Sequence, residues 1–318
     1  MQLHFLGTGA GMPSKERNTS ALMVKLLDEV SEMWLFDCGG EATQHQILHT
    51  SLKPRKVTKI FITHLHGGDH IFGLPGFLSS RSFQGGDEPL TIFGPSGLQQ
   101  WIEQTLALSK THLTYPLRFV EVQEGIIYED AHFTIHAKEL RHVVPCYGYR
   151  IEQKDLPGEL LIDKAQALGV PKGPLLGQLK NGHDIVLENG DVVLAKDVVA
   201  PAKKGFTLSV LGDTKYCEEA IQLSMGADII VHEATFDGTT TDLAASYGHA
   251  TNVEAAKVAQ QAGAHYLLLN HLSARFLPYD LPQFLAEAQG GIFPNTFLTA
   301  DQPSIHGNTI NYSDIIIK

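Results

Sequence analysis

The stretch THLHGGDH, Thr63 to His70, places three histidines and an aspartate within eight residues, directly after the apolar run KIFI. The apolar run predicts a strand that ends at the cluster. His64 and His66 are two residues apart at this strand end, so their side chains point to one side and can share an ion. Asp69 and His70 add an oxygen and a nitrogen close by, which suit a second ion. The stretch therefore predicts a metal site.

The bulk composition is that of an ordinary globular enzyme. The chain has 318 residues, of which 43% are hydrophobic and 19% are charged. No apolar run approaches the length of a membrane span, and the start, MQLHFLGTGAG, lacks the basic and apolar regions of a signal peptide. We therefore expect no membrane association.

Net charge and cysteine content indicate which partners and which cellular compartment to expect. The formal net charge of -11 argues against nucleic-acid binding over the whole surface, although it leaves room for a local basic patch. Three cysteines are too few and too scattered for a disulfide framework or a zinc-thiolate site. A reducing cytoplasm is the expected location.

Short apolar runs alternate with amphipathic segments along the chain, which predicts an α/β layered domain. Eight runs predict strands: LHFLG, MWLFDCG, KIFITH, LTIFG, FTIHAKEL, TLSVLGD, ADIIVHEA and YLLLNHL. Three more polar residues, His142, Asp213 and His271, lie singly at the edges of such runs. One such residue is more often structural than a ligand, but together with the dense cluster at 64–70 they indicate a site beyond the strand ends.

The segment from about 152 to 204 differs from the rest. Glycine and proline punctuate it heavily and its periodicity is weak, so we interpret it as an inserted arm rather than core. An ordinary long surface loop is the alternative. A binding role is favoured, because insertions of this length usually carry function.

The order of these residues resembles the metallo-β-lactamase family, whose first motif is His-x-His-x-Asp-His, followed by a distant His, an Asp and a last His. More narrowly, the chain resembles ribonuclease Z of the short bacterial type over nearly its whole length. The segments that carry this are GTGAGMPSKERN at 7–18, HIFGLPGFLSSRSFQGG at 70–86, GPLLGQLKNG at 173–182, GDT at 212–214, HEAT at 232–235 and HLSAR at 271–275. The resemblance implies a single domain over 1–318, an αββα sandwich with a protruding tRNA-binding arm inserted at about 152–204.

The resemblance also implies two zinc ions per subunit. One zinc ion takes His64, His66 and His142, the other takes Asp69, His70 and His271, and Asp213 bridges them.

A catalytic assignment follows from the same resemblance. Asp69 is implied as the general base towards the attacking water. His249 would protonate the leaving oxygen, and Glu233 would orient His249. Taken without the family, both of these residues are more readily structural.

The implied activity is endonucleolytic removal of the 3′ trailer from precursor tRNA, leaving a 3′-hydroxyl on the tRNA and a 5′-phosphate on the trailer. Lys15, Arg17 and Asn18 would contact the acceptor end, Gly173 and Pro174 belong to the arm, and a homodimer is expected. One alternative is another hydrolase of the fold, a small phosphodiesterase or an arylsulfatase. The other is a non-catalytic RNA-binding relative with an impaired metal site.

Two glycine pairs depart from the family pattern, which has one residue where this chain has Gly67 and Gly68, and one where it has Gly39 and Gly40. An added residue spans up to about 3.5 Å, whereas metal-ligand distances tolerate only about 0.2 Å. Either the extra residue bulges outward, which glycine permits, or Asp69 and His70 are displaced, the second zinc is weak or absent, and catalysis suffers. We expect the bulge, because every other ligand position is intact.

Overall fold

The computed structural model describes residues 1–26 and 30–301, so the remaining positions of the predicted 1–318 domain lie outside the described residues. The chain divides into two compact units. One consists of residues 1–152 together with the chain from 207 onward, and the other consists of residues 153–206. The predicted arm, 152–204, covers nearly the same range as the second unit.

Strands and helices are interspersed along the described residues, with four consecutive strands in 2–36 and again in 117–153. The strands are β1 (Gln2–Gly7), β2 (Gly9–Ala10), β3 (Ala21–Leu26), β4 (Glu32–Phe36), β5 (Val57–Phe61), β6 (Leu90–Gly94), β7 (Leu117–Glu121), β8 (Gly125–Glu129), β9 (Phe133–Glu139), β10 (Tyr147–Gln153), β11 (Ile185–Val186), β12 (Val192–Val193), β13 (Thr207–Val210), β14 (Ile229–Glu233), β15 (Tyr266–Asn270), β16 (Leu272–Ser273) and β17 (Thr296–Leu298). The helices are α1 (Ala42–Leu48), α2 (Leu74–Phe83), α3 (Leu98–Leu108), α4 (Ile162–Ala167), α5 (Pro174–Lys180), α6 (Ala195–Val198), α7 (Glu218–Leu223), α8 (Thr241–Tyr247), α9 (Asn252–Ala262) and α10 (Leu281–Gln289). All eight apolar runs become strands, so that prediction is confirmed.

Two sheets form the centre of the first unit. One has the order β1-β3-β4-β5-β6-β7 and the other β17-β15-β14-β13-β10-β9-β8. Strands β4 to β7 run parallel, as do β13, β14, β15 and β17. The carboxyl ends of parallel neighbours meet at one edge of a sheet, which is where α/β proteins place their sites.

Aromatic side chains pack the two sheets against each other. The ring of Trp34 lies 5.0 Å from that of Phe133, and the ring of Phe61 lies 5.3 Å from that of Tyr149, measured between centroids. Because side chains alternate along a strand, Leu35 faces the other way and joins the apolar cluster under α1, α2 and α3. A second cluster joins the other sheet to α7, α9 and α10. The layer order is helix, sheet, sheet, helix, as expected.

Helix α9 shows how local sequence fixes an element boundary. The hydroxyl of Thr251 accepts the Glu254 backbone N–H at 3.1 Å, and the Glu254 carboxylate accepts the Thr251 N–H at 2.9 Å. This reciprocal capping box satisfies two helix-start donors. Gly263 ends the helix with a φ of 62°.

The second unit has a small apolar core of its own. The side chains of α4, α5 and α6 meet those of the β11–β12 hairpin, and Ala165, Leu179 and Val198 are fully buried there. The segment therefore forms three short helices although the hydrophobic periodicity of its sequence is weak. Among the described residues, no helix is both long and apolar enough to span a membrane.

Candidate metal centre

The candidate ligands lie where strands of the first unit end. His64 follows the end of β5 by three residues, Asp213 follows β13 by three, and His271 comes directly after β15. Each of these three side chains is at most 3% exposed. The ends of these strands thus place the three polar side chains in one buried region.

All seven sequence-predicted ligands converge there. His64, His66 and His142 form one group, and Asp69, His70, Asp213 and His271 form a second. Within each group the potential ligand atoms all lie within 4.8 Å of one another.

The carboxylate of Asp213 lies between the two groups. Its Oδ2 is 3.6 Å from Nε2 of His64 and 3.5 Å from Nε2 of both His70 and His271. Tetrahedral zinc with bonds of about 2.0–2.1 Å separates its ligand atoms by roughly 3.4 Å. The spacing of these atoms therefore suits ligands that share an ion.

Two buried ring nitrogens test this fit independently. Nε2 of His64 and Nε2 of His70 are buried and have no hydrogen-bond partner among the described residues. Buried polar atoms in native proteins are nearly always paired. Two such atoms facing one carboxylate oxygen are the expected arrangement if a cation takes the place of the missing partner.

The opposite ring nitrogens are held by the protein. Nδ1 of His64 lies 2.9 Å from the hydroxyl of Thr63, and Nδ1 of His142 lies 2.8 Å from the Gly248 carbonyl oxygen. A carbonyl only accepts, so Nδ1 of His142 carries the proton and Nε2 presents its lone pair. Partners of this kind fix the orientation of metal-binding histidines.

The same anchoring identifies two residues that the sequence reasoning missed. The Asp37 carboxylate lies 2.9 Å from Nδ1 of His70 and accepts the N–H and O–H of Thr63, each at 2.8 Å. The Thr235 hydroxyl lies 2.9 Å from Nδ1 of His271. A signal existed for Asp37, since it directly follows β4. Nothing in the sequence marked Thr235 for this role.

The electrostatics of the centre reflect close packing of opposite charges. Burial alone would raise the pKa of Asp213, but His271, His70 and His64 hold it well below its usual value. Burial alone would lower the pKa of His70, but Asp213 and Asp37 raise it well above its usual value. Burial lowers the pKa of His64. The carboxylates of Asp213 and Asp37 thus favour positively charged groups beside them in the candidate metal centre.

Glu233 and His249 form a separate pair beside the ligands. Nδ1 of His249 lies 2.9 Å from Oε1 of Glu233, which also accepts the Thr214 N–H at 2.9 Å. Oε2 of Glu233 accepts the N–H and the hydroxyl of Thr235 at 3.1 and 2.7 Å. Burial alone would lower the pKa of His249, but Glu233 raises it to about 9. The contact with Glu233 therefore favours the protonated form of the imidazole and fixes its orientation.

The double glycine at 67–68 is absorbed by a π turn. Gly67–Ile71 form one turn of π-helix that starts directly after His66, and the Phe72 N–H donates to the Gly67 carbonyl at 3.0 Å. Such a turn holds one residue more than an α turn. Asp69 and His70 remain with Asp213 and His271. Of the two outcomes considered, the geometry supports the outward bulge.

The other glycine pair packs against this turn. A side chain on Gly39 would overlap the Asp69 carbonyl oxygen. The Cys38 N–H donates to the His70 carbonyl at 2.8 Å, and the Gly73 N–H donates to the carbonyls of Cys38 and Gly39 at 2.9 Å. The loop after β4 therefore packs against the turn that carries Asp69 and His70 and holds it with backbone hydrogen bonds.

The predicted substrate residues divide into two kinds. Lys15 is exposed, and Gly173 and Pro174 are exposed at the start of α5 in the second unit. Arg17 is half-buried and donates to the Thr299 carbonyl at 2.8 Å. Asn18 is 7% exposed and its amide donates to the Leu6 carbonyl at 3.2 Å. The side chains of Arg17 and Asn18 are thus turned inward.

Close relatives place the chain in a family. It is 52% identical to the ribonuclease Z of Geobacillus kaustophilus (strain HTA426) over 301 residues, which cover 95% of this chain and 97% of that protein. It is 54% identical to the ribonuclease Z of Limosilactobacillus fermentum over 278 residues, 87% of this chain and 89% of that protein. The chain belongs to the ribonuclease Z family.

Solved structures also match this chain over nearly its whole length. The crystal structure of human tRNase Z, short form, matches with 29% identity and a TM-score of 0.67 over 95% of this chain and 97% of that one. The metallo-β-lactamase fold protein YhfI of Bacillus subtilis matches with 22% identity and a TM-score of 0.63 over 94% and 96%, which shows the fold alone. The family model described as Anti-Pycsar protein Apyc1 matches residues 1–155. The predicted metallo-β-lactamase fold is confirmed.

Proposed function

We propose that this ribonuclease Z family protein removes the 3′ trailer from precursor tRNA by hydrolysing one phosphodiester bond. The products are a tRNA with a 3′-hydroxyl and a trailer with a 5′-phosphate. The observation that carries this proposal is the convergence of seven ligand residues around Asp213 beside a fixed Glu233–His249 pair. That arrangement suits hydrolysis of a phosphodiester rather than simple binding.

The centre is proposed to hold two zinc ions per subunit. His64, His66 and His142 would hold one, Asp69, His70 and His271 the other, and Asp213 would lie between them. Imidazole and carboxylate donors are ligands that zinc accepts. Two such ions, when bound, supply a nucleophilic hydroxide and stabilise charge on the phosphoryl and leaving oxygens.

The residues of this chain would handle the protons. Among the described residues, the hydrogen bonds of the Asp69 carboxylate use Oδ2, which accepts the Gly11 N–H at 2.7 Å and lies 3.2 Å from Nε2 of His271. Oδ1 is then the oxygen that would accept a proton from the attacking water. Nδ1 of His249 is engaged by Glu233, so Nε2 would donate a proton to the leaving oxygen.

Substrate binding is proposed to use exposed residues and the second unit. Lys15 would contact the acceptor end through phosphates or base edges. The unit 153–206, with Gly173 and Pro174 at the start of α5, would grip the tRNA through its shape and backbone contacts. The net charge of -11 makes such local contacts necessary.

Two properties of the whole protein belong to the same proposal. We expect a homodimer, which light scattering on the purified protein tests directly. We also expect a cytoplasmic location, because Cys38, Cys146 and Cys217 are buried free thiols that suit a reducing compartment.

The decisive experiment incubates the purified protein with a precursor tRNA that carries a 3′ extension. We expect cleavage directly after the tRNA part, loss of cleavage with a chelator, and recovery when zinc is added back. Asp213→Ala should bind less metal and cleave nothing, whereas Asp87→Ala, which removes an exposed carboxylate outside the cluster, should behave as wild type. Wild-type protein with two bound metals and no cleavage would overturn the proposal.

A further inference from the structure

The loop Gly11–Asn18 is pinned at both ends by buried carboxylates. At its start, the Gly11 N–H donates to Oδ2 of Asp69, a candidate metal ligand, at 2.7 Å. At its end, the Asn18 N–H donates to Oδ2 of Asp301. Asp301 lies 283 positions further along the chain and is only 6% exposed. Within 1–26 and 30–301, this second carboxylate belongs to no group of candidate metal ligands.

Asp301 is the centre of a small buried network. Its Oδ1 accepts the Thr8 hydroxyl at 2.6 Å, and its Oδ2 accepts the Gln46 side-chain amide at 3.4 Å as well as the Asn18 N–H. The Arg17 guanidinium donates to the same Thr8 hydroxyl and to the Thr299 carbonyl. The guanidinium is therefore linked to the carboxylate through one shared hydroxyl.

The part of the loop between these two ends faces solvent. Residues 11–16 are exposed, and the turn is closed on itself because the Ser14 N–H donates to the Arg17 carbonyl at 2.8 Å. The Ser14 hydroxyl also accepts the N–H groups of Glu16 and Arg17 at 3.2 and 3.1 Å. The loop thus presents Lys15 from a fixed backbone whose Gly11 end is tied to the metal centre.

We propose that Asp301, acting through Thr8 and Arg17, is a positioning residue that sets the placement of the substrate loop Gly11–Asn18 relative to the metal centre. The inference rests on the proposed function and deepens it. Arg17 and Asn18 then act on tRNA by holding the loop, and Lys15 acts by contact. Pre-ordering the loop lowers the entropic cost of binding, so loss of the network weakens binding of a large substrate that touches the loop.

Asp301→Asn is the sharpest perturbation because it keeps the shape. A carboxylate accepts at both oxygens, whereas an amide accepts at one and donates from the other. In one amide orientation the NH₂ faces the Asn18 N–H, and in the other it faces the Thr8 hydroxyl, which already accepts from Arg17. One buried donor is left unpaired in the first case, and the hydroxyl loses its acceptor in the second.

The expected result is a KM for precursor tRNA raised about tenfold, as for loss of one charge-assisted hydrogen bond. The kcat and the bound metal should stay within twofold of wild type. Hydrolysis of bis(p-nitrophenyl) phosphate, which lacks the tRNA acceptor end that Lys15 would contact, should also stay within twofold. Equal losses for both substrates, or an unchanged KM for the tRNA, would overturn the inference.

Two variants separate positioning from general stability. Thr8→Val removes only the shared hydroxyl and should also raise the KM for precursor tRNA. This variant tests the inference even if Asp301→Asn folds poorly. Glu32→Gln weakens a half-buried carboxylate, which accepts from Trp34, Thr58 and Lys59 away from the loop. It should lower the melting temperature without changing the KM for tRNA. A tRNA KM that rises equally in Glu32→Gln would contradict the positioning role.

Limited trypsin digestion tests the anchor without any substrate. The bond after Lys15 is exposed in the wild type and serves as an internal reference, whereas Arg17 is held inward. Asp301→Asn should raise the ratio of cleavage after Arg17 to cleavage after Lys15, read from the N-terminal fragments by mass spectrometry. An unchanged ratio refutes the anchor. If the wild type fails to cleave precursor tRNA, the proposed function fails while this ratio still decides the inference.

Discussion

Substitution of Gly39 by alanine should disrupt the metal centre from a position that contacts no metal. A Cβ built on Gly39 would overlap the carbonyl oxygen of Asp69 and lie 2.5 Å from its carbonyl carbon. Non-bonded carbons keep about 3.5 Å apart. The Asp69 backbone must therefore move by about 1 Å, or the loop after β4 must move instead.

A displacement of this size exceeds what metal binding tolerates. Ligand distances accept deviations of only about 0.2 Å, and both Asp69 and His70 lie on the turn that must move. We expect the free energy of unfolding to fall by about 1–3 kcal/mol, as for an overpacked core. The metal affinity should fall about 10- to 100-fold, as for loss of a group that supports metal ligands.

The control is the same substitution on the neighbouring loop. Of the atoms in the described part of the chain, a Cβ on Gly68 would meet the Gly11 carbonyl oxygen alone, at 3.6 Å, which is an ordinary contact. Gly68→Ala should therefore keep the wild-type metal content and stability. Its only expected cost is the small conformational difference between glycine and alanine in a turn.

The assay measures zinc per chain after equilibration at a fixed free zinc concentration, alongside thermal unfolding with and without zinc. Gly39→Ala should lose at least one zinc per chain at a concentration that saturates wild type and Gly68→Ala. If Gly39→Ala binds two zinc ions and melts with the wild type, the packing argument is wrong.

Four other predictions follow from the structure. Deletion of Gly68 should keep zinc content and tRNA cleavage near wild type, because the five-residue turn can contract to an α turn; loss of a zinc would contradict this. His249→Asn should lower kcat for precursor tRNA by about 10²- to 10⁴-fold in single-turnover assays, with zinc content unchanged; a parallel loss of zinc would show a structural role instead. Replacement of residues 155–200 by a short Gly-Ser linker should abolish tRNA cleavage and spare bis(p-nitrophenyl) phosphate hydrolysis, whereas equal loss of both would refute the binding role. Thr251→Ala should cost about 1 kcal/mol through loss of the capping box, which lowers the melting temperature by about 2 °C; an unshifted transition would show that the cap contributes nothing.

Much of the fold and the site was accessible from sequence because both depend on local patterns. Each predicted strand is an apolar run, and the candidate ligands His64, Asp213 and His271 each follow one closely. The same rule applied to MWLFDCG would have found Asp37, which directly follows β4 and holds His70. Thr235 could not be found this way, because its role depends on the position of His271, 36 residues away.

Arg17 and Asn18 show that the sequence alone does not reveal which distant groups a side chain contacts. Arg17 and Asn18 look like solvated polar residues in SKERN, and the family resemblance implies that they touch tRNA. Their partners are Thr299 and Asp301, nearly 300 positions away. No local pattern predicts a hydrogen bond over that separation.

By itself, the sequence determined the order of the strands along the chain, the cap of α9, and the identity of the residues that can bind metal, because periodicity and residue chemistry are local properties. Only the tertiary structure decided how those residues act. The ring nitrogen that each histidine offers follows from the partner of the other nitrogen, and such partners come from distant elements. The double glycine of THLHGGDH leaves Asp69 and His70 in place only if there is space for one more residue. The loop at Gly39 sets that space, because it packs against Asp69 in the folded protein.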